Sequence, residues 1–163
     1  MAAAEGALSA GIGELVISQD PSATLIAYGL GSCVALTAWD PRLRIGGLAH
    51  FMLPSGSPDQ AGKRAPAKFI AGGLETFLAE LRAHGLAASR AQLKAAGGAS
   101  MLMLGGDSLE IGRRNADALV AALQAAGLRL AASDLGGRVG RTVQLDVGSG
   151  RVTVRSVATV TDL

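Results

Sequence analysis

Apolar residues along this chain fall mostly into short runs broken by Gly, Pro and Asp, and only two stretches show helical spacing. Residues 12–18, 24–28 and 33–39 are short and rich in apolar and β-branched side chains, with Gly29, Gly31 and Ser32 between the last two. That pattern predicts strands separated by tight turns. Asp40-Pro41 marks another turn, and residues 45–52 form an apolar run that closes at Pro54. Residues 54–66 are polar and Pro-containing, with no composition shift beyond them, and predict a surface loop rather than a domain boundary. Phe69, Ile70, Phe77, Leu78 and Leu81 then recur on one face of a helix that Gly85 would stop. Gly72 and Gly73 weaken that helix by ~1 kcal/mol each relative to Ala.

Residues 91–96 predict a strand leading into Gly97-Gly98. A second helix is expected from about Ile111 to Ala126, with Ile111, Leu119, Val120 and Leu123 as its stripe and Gly127 as its stop. Residues 128–132 predict a strand, and the alternating segments 142–147 and 151–158, joined by Gly148-Ser149-Gly150, predict a hairpin. Nothing repeats at a fixed period. The expectation is one α+β domain over residues 1–163, with two main helices and more strands than helices.

Composition narrows the class. Of 163 residues, 49% are hydrophobic and 17% charged, which argues for a packed core and against disorder. Aromatics are 3%, so Leu, Val, Ile and Ala must build that core. The net charge is +2, the basic residues are scattered, and no aromatic ladder lies between them, so a nucleic-acid partner is not expected. A lone cysteine rules out an internal disulfide and suits a reducing compartment. The N-terminal stretch carries Glu5 and Glu14 and does not look like a signal peptide, and no uncharged run approaches a membrane span. The expected location is cytoplasmic, with no direct membrane insertion.

Most chemical motifs are absent. Residues 29–34 read GLGSCV and lack the third glycine of a dinucleotide fingerprint, and no GxxxxGK[ST] or GxSxG occurs. One Cys and two His far apart do not make a metal site. His84 lies at the polar end of the first helix, where a solvated imidazole suits the negative end of the helix dipole. Cys33 is different, because it follows the Gly29-Leu30-Gly31-Ser32 turn at the start of a strand. Glycines there free backbone N–H groups to hold an oxyanion, and a thiol needs a nearby imidazole to ionise. His50 lies seventeen residues on. Antiparallel pairing through the Asp40-Pro41 turn would bring the start of one strand beside the end of the next, and so Cys33 near His50. The bland alternative stands beside it: a lone Cys on an apolar strand is usually an inert core residue, and a lone His among apolar neighbours is usually structural.

LGSCVALTAWDP followed by GGLAHFMLP resembles the signature of CheD, the chemoreceptor glutamine deamidase family of bacterial chemotaxis. GGASM (Gly97 to Met101), IGRRN (Ile111 to Asn115), Asp134-Leu135-Gly136-Gly137 with Arg141, and the closing GSGRVTVR match in the same order. The resemblance implies a layered α/β/β sandwich like that of deamidating bacterial toxins, with Cys33 as nucleophile, His50 as base, and no metal or organic cofactor. It implies hydrolysis of selected chemoreceptor glutamines to glutamates, and CheC, a response-regulator phosphatase, as a further partner. One position departs. The family usually carries a Thr six residues before the nucleophile, thought to orient the His, and here it is Ala27. Thr24, Ser32 or a backbone carbonyl could serve instead. Ala27 keeps alive an adaptor with a vestigial site, and other thiol hydrolases, such as a peptidase or transglutaminase, form a third reading.

Overall fold

The computed structural model describes residues 6–100 and 108–163. Two mixed sheets of five strands lie face to face, and two helices cover the outer face of one of them. This is the layered α+β arrangement expected. The first sheet has the order β1-β3-β8-β9-β10, from β1 (Ala7–Ser9), β3 (Thr24–Leu30), β8 (Arg141–Asp146), β9 (Val152–Arg155) and β10 (Val160–Asp162). The second has the order β2-β5-β4-β6-β7, from β2 (Leu15–Ser18), β5 (Ile45–Phe51), β4 (Val34–Asp40), β6 (Gln92–Gly97) and β7 (Ala132–Leu135). A short helix α1 (Pro58–Ala61) lies within the polar loop, and α2 (Ile70–Ala83) and α3 (Ser108–Ala125) form the helical layer.

The middle sheet is buried on both faces, which is why its central strands are continuous apolar runs without alternation. Val34, Leu36 and Ala38 of β4, with Ala49 and Phe51 of β5, pack against Ile70, Leu74, Phe77 and Leu81 of α2 and Leu119 and Leu123 of α3. The opposite side chains, Ala35, Leu48 and Ala96, meet Leu25, Ala27, Val143 and Leu145 of the first sheet. Burying a Leu or Phe fully contributes about 1.5–3 kcal/mol, so two such layers supply the main driving force of the fold.

β4 and β5 form the hairpin that carries both candidate residues. Its turn is fixed by Asp40, whose carboxylate accepts the N–H groups of Arg42 (2.8 Å) and Leu43 (3.2 Å). The hairpin over residues 141–155 also forms, with Val143 opposite Val154.

Several boundaries differ from expectation. β1 and β10 are three-residue edge strands, too short to carry a period. The predicted strand 12–18 begins only at Leu15, because Gly11 to Gly13 turn the chain. The strand expected at 128–132 lies instead at Ala132–Leu135, since Ala131 N–H bonds to the Leu93 carbonyl only after the helix exit has been spanned. Gly72 has φ +83°, which breaks the first turn of α2. Gly73 lies against Pro66 and Ala67, where a Cβ would crowd the backbone. The two glycines that weaken the helix therefore shape its entry. Met101 of the GGASM match lies outside the described residues.

Candidate active site

Cys33 sits one residue before β4, half-buried, at the rim of the space between the sheets. Its carbonyl accepts the Gly98 N–H at 2.8 Å, and the Gly31 carbonyl accepts the Ala99 N–H at 2.9 Å. The Cys33 turn is thus sewn to the end of β6. Gly97 makes this possible: its φ is +115°, and a Cβ there would clash with the Cys33 carbonyl.

His50 lies in β5 directly opposite Ala35 of β4. Facing residues of an antiparallel pair share a side, and so do residues two apart. The ladder ends at Val34↔Phe51, one residue short of Cys33, and Cys33 packs with the cluster of Ala35 and Leu48 between the sheets, the side on which His50 also lies. The predicted antiparallel hairpin is present, with Cys33 just before the start of β4 and His50 near the end of β5.

The imidazole is 2% exposed. Its Nδ1 lies 3.0 Å from the Ala10 carbonyl. A carbonyl only accepts, so Nδ1 carries the proton and Nε2 keeps its lone pair. Nε2 has no hydrogen-bond partner among the described residues. Burial pushes the His50 pKa below its usual 6.5, against the opposing effects of the Ala10 bond and the Glu14 charge. Burial likewise pushes the Cys33 thiol above its usual 9.0. Both shifts favour the uncharged forms, a thiol at Cys33 and a neutral imidazole at His50.

Neither Thr24 nor Ser32 holds the imidazole. Nδ1 is taken by the Ala10 carbonyl and Nε2 has no partner among the described residues, so neither hydroxyl bonds the ring. The backbone takes that role. Ser9 pairs with Ile26 in the parallel β1–β3 register, so Ala10 follows beside Ala27. The carbonyl that receives His50 therefore lies next to Ala27, the position at which the resemblance implies a Thr.

The dispersed motif residues converge on this turn. Arg141 is 6% exposed and reaches the Asp134 carboxylate at 3.2 Å as well as the Gly136 carbonyl. The loop it fixes bonds Gly136 N–H to the Gly97 carbonyl (2.8 Å) and accepts the Ser100 N–H at Gly137 (2.9 Å). Asn115 of α3 is fully buried, and its amide donates to the Ser32 (2.8 Å) and Met52 (2.9 Å) carbonyls. The residues alone gave Asn115 no role. The signal was a polar amide four residues after Ile111 and four before Leu119, within an apolar stripe. The Ala10 carbonyl leaves no sequence signal at all.

Among the described residues no group of three or more His, Cys, Asp and Glu side chains could hold a metal ion, and no helix is long and apolar enough to cross a membrane.

A family model for CheD chemotactic sensory transduction matches residues 52–156. The match begins just after His50, so the two candidate residues lie outside it. A Symbiobacterium thermophilum protein named "Probable chemoreceptor glutamine deamidase CheD" is 45% identical over 149 residues, covering 90% of each chain. An Anaeromyxobacter dehalogenans protein named "Probable chemoreceptor glutamine deamidase CheD 2" is 44% identical over 151 residues, 91% of this chain and 94% of its own. A Thermococcus kodakarensis protein with the first of these names is 37% identical over 91% of each chain. Alignments that leave out only a tenth of this chain must include residues 33 to 50. Family match, relatives and motif order agree, and the chain belongs to the CheD family.

Proposed function

We propose that this protein hydrolyses glutamine side-chain amides on the cytoplasmic domains of chemoreceptors, using Cys33 as nucleophile and His50 as general base and acid. One observation carries the reading: a buried imidazole whose Nδ1–H is tied to Ala10, with Nε2 left unpartnered on the sheet face that also carries Cys33. The names of the relatives supply the substrate class. With this reading goes a cytoplasmic location, where those receptor domains lie.

The chemistry follows from the protonation states. Nε2 takes the Cys33 proton as the sulfur attacks the glutamine Cδ, and the carbonyl oxygen becomes an oxyanion. Backbone N–H groups at the glycine-rich turn are suited to hold that charge. The imidazolium gives its proton to the amide nitrogen, and ammonia leaves a thioester. A water molecule, deprotonated by Nε2, then attacks the thioester carbon. The tetrahedral intermediate collapses to the carboxylic acid and expels the thiolate, which His50 reprotonates, and the acid ionises to glutamate by giving its proton to the released ammonia. Each turnover consumes one water and releases one ammonia. The vestigial-adaptor reading rested on Ala27, and the Ala10 carbonyl supplies the acceptor whose loss motivated it.

The test is mass spectrometry of receptor cytoplasmic fragments incubated with the protein, with Cys33→Ala or with His50→Ala. A Gln-to-Glu mass change at defined sites should be abolished by Cys33→Ala and slowed about 10²–10⁴-fold by His50→Ala. No change on intact, bound receptors would overturn the reading in favour of an adaptor. Backbone cleavage or amine incorporation would point to a peptidase or transglutaminase.

A further inference from the structure

The β4–β5 ladder ends one residue short of Cys33. Beyond Val34↔Phe51 the two chains part, and the Met52 N–H turns away to the Lys68 carbonyl at 3.1 Å. Asn115 closes the gap from the helical layer. Its single NH₂ group donates to Ser32, the residue before Cys33, and to Met52, two residues after His50. An amide nitrogen has two protons, so both carbonyls can be served at once. Asn115 is fully buried, and it is the only asparagine in the chain. Its Oδ1 has no partner among the described residues, so the side chain is held by its donors alone.

We propose that Asn115 is a positioning residue for the Cys33–His50 pair, a side-chain rung that locks the nucleophile turn to the strand bearing the base. The inference rests on the catalytic reading of those two residues. Small misplacements of reacting groups cost large factors in rate. Asn115 makes no hydrogen bond to the sulfur or the imidazole among the described residues, and it acts through the main chain on either side of them.

Cys33 is the only thiol, so alkylation by iodoacetamide reports on it alone. The alkylation rate is measured against pH for the unmodified protein, His50→Ala, Asn115→Ala and the isosteric Asn115→Asp, each corrected for its folded fraction. The Asn115 variants should shift the pH profile in the direction of His50→Ala and lower kcat on receptor fragments about 10–100-fold, with KM changed little. An unshifted profile, with activity lost only in proportion to unfolding, would overturn the proposal.

A second measurement needs no variant. In protein labelled with ¹⁵N at asparagine only, the single side-chain amide should show slowly exchanging protons that shift when Cys33 is alkylated. Fast exchange without a shift would overturn the brace even if both variants fail to fold. Should His50→Ala itself leave the profile unchanged, the Cys33–His50 pairing fails. If His50→Ala moves it and the Asn115 variants do not, only the positioning role fails.

Discussion

The His50 imidazole donates its Nδ1 proton to the backbone oxygen of Ala10, 3.0 Å away, across the space between the two sheets. This bond fixes the tautomer, with the proton on Nδ1 and the lone pair on Nε2. Ala10 is held in turn by its own N–H, which donates to Ile26 at 2.8 Å.

Restoring the family residue should therefore gain little. Ala27 is fully buried among Leu25, Val143 and Leu145. Ala27→Thr adds volume and a hydroxyl to a packed layer, at a cost of about 1–3 kcal/mol. Because the carbonyl already accepts the proton, kcat should stay within about tenfold of the parent. Chemical denaturation and deamidation assays on the same samples check both. A gain well beyond tenfold would show that the Ala10 bond is an inadequate substitute.

The two pKa directions set a broad pH profile. His50 remains a base to below pH 6.5, since burial disfavours its protonation, and Cys33 ionises unaided only above 9.0. Alkylation of Cys33 should show an inflection below 6.5, from loss of the base, and a second rise above 9.0, from the free thiolate. His50→Ala should remove the lower inflection and keep the upper. A thiolate already formed at neutral pH, seen as rapid and pH-independent alkylation, would contradict the neutral pair.

Glu14 supports the base from a distance. Its carboxylate accepts the Gly11 N–H at 2.8 Å, closing the turn that follows Ala10, and its charge favours the imidazolium. Glu14→Gln keeps an oxygen to accept that bond and removes the charge. The His50 pKa should fall further, so the acid inflection in kcat/KM moves to lower pH while the plateau changes less than about tenfold. An inflection that stays in place would show that the Glu14 charge does not reach the ring.

Much of this was legible in the sequence because the hairpin is local. The strand that follows Cys33 and the strand that holds His50 are joined by one tight turn, so the antiparallel pairing of β4 with β5 followed from counting residues. The helices were equally plain, since Phe77, Leu81, Leu119 and Leu123 repeat at the helical period and are buried. What escaped depends on long-range contact. Ala10 reaches His50 only once the sheets stack, and a carbonyl is common to every residue type. Asn115 was visible as a motif member, yet its targets at Ser32 and Met52 are 83 and 63 positions away. The strand at Ala132–Leu135 was misplaced because its parallel partner β6, not its own pattern, sets its position.

The buried imidazole should also leave a mark on stability. His50 has a folded-state pKa below 6.5 and regains about the ordinary value when unfolded. Between those two values the unfolded chain binds more protons than the native one, so stability falls as pH is lowered from 6.5 towards the folded pKa. Above 6.5 both states hold a neutral ring and the contribution is complete. The slope from one such group is at most about 1.4 kcal/mol per pH unit. Cys33 acts at the other end, because its folded pKa lies above 9.0 and stability should decline as pH rises past that value. Urea denaturation from pH 5 to 10 on the unmodified protein, His50→Gln and Cys33→Ala separates the two limbs. His50→Gln should flatten the decline just below 6.5 and leave the alkaline limb intact, and Cys33→Ala should do the reverse. Parallel acid slopes for the unmodified protein and His50→Gln would mean that the ring takes up a proton in the native state as readily as in the unfolded one. That would remove the physical basis for an uncharged base at Nε2.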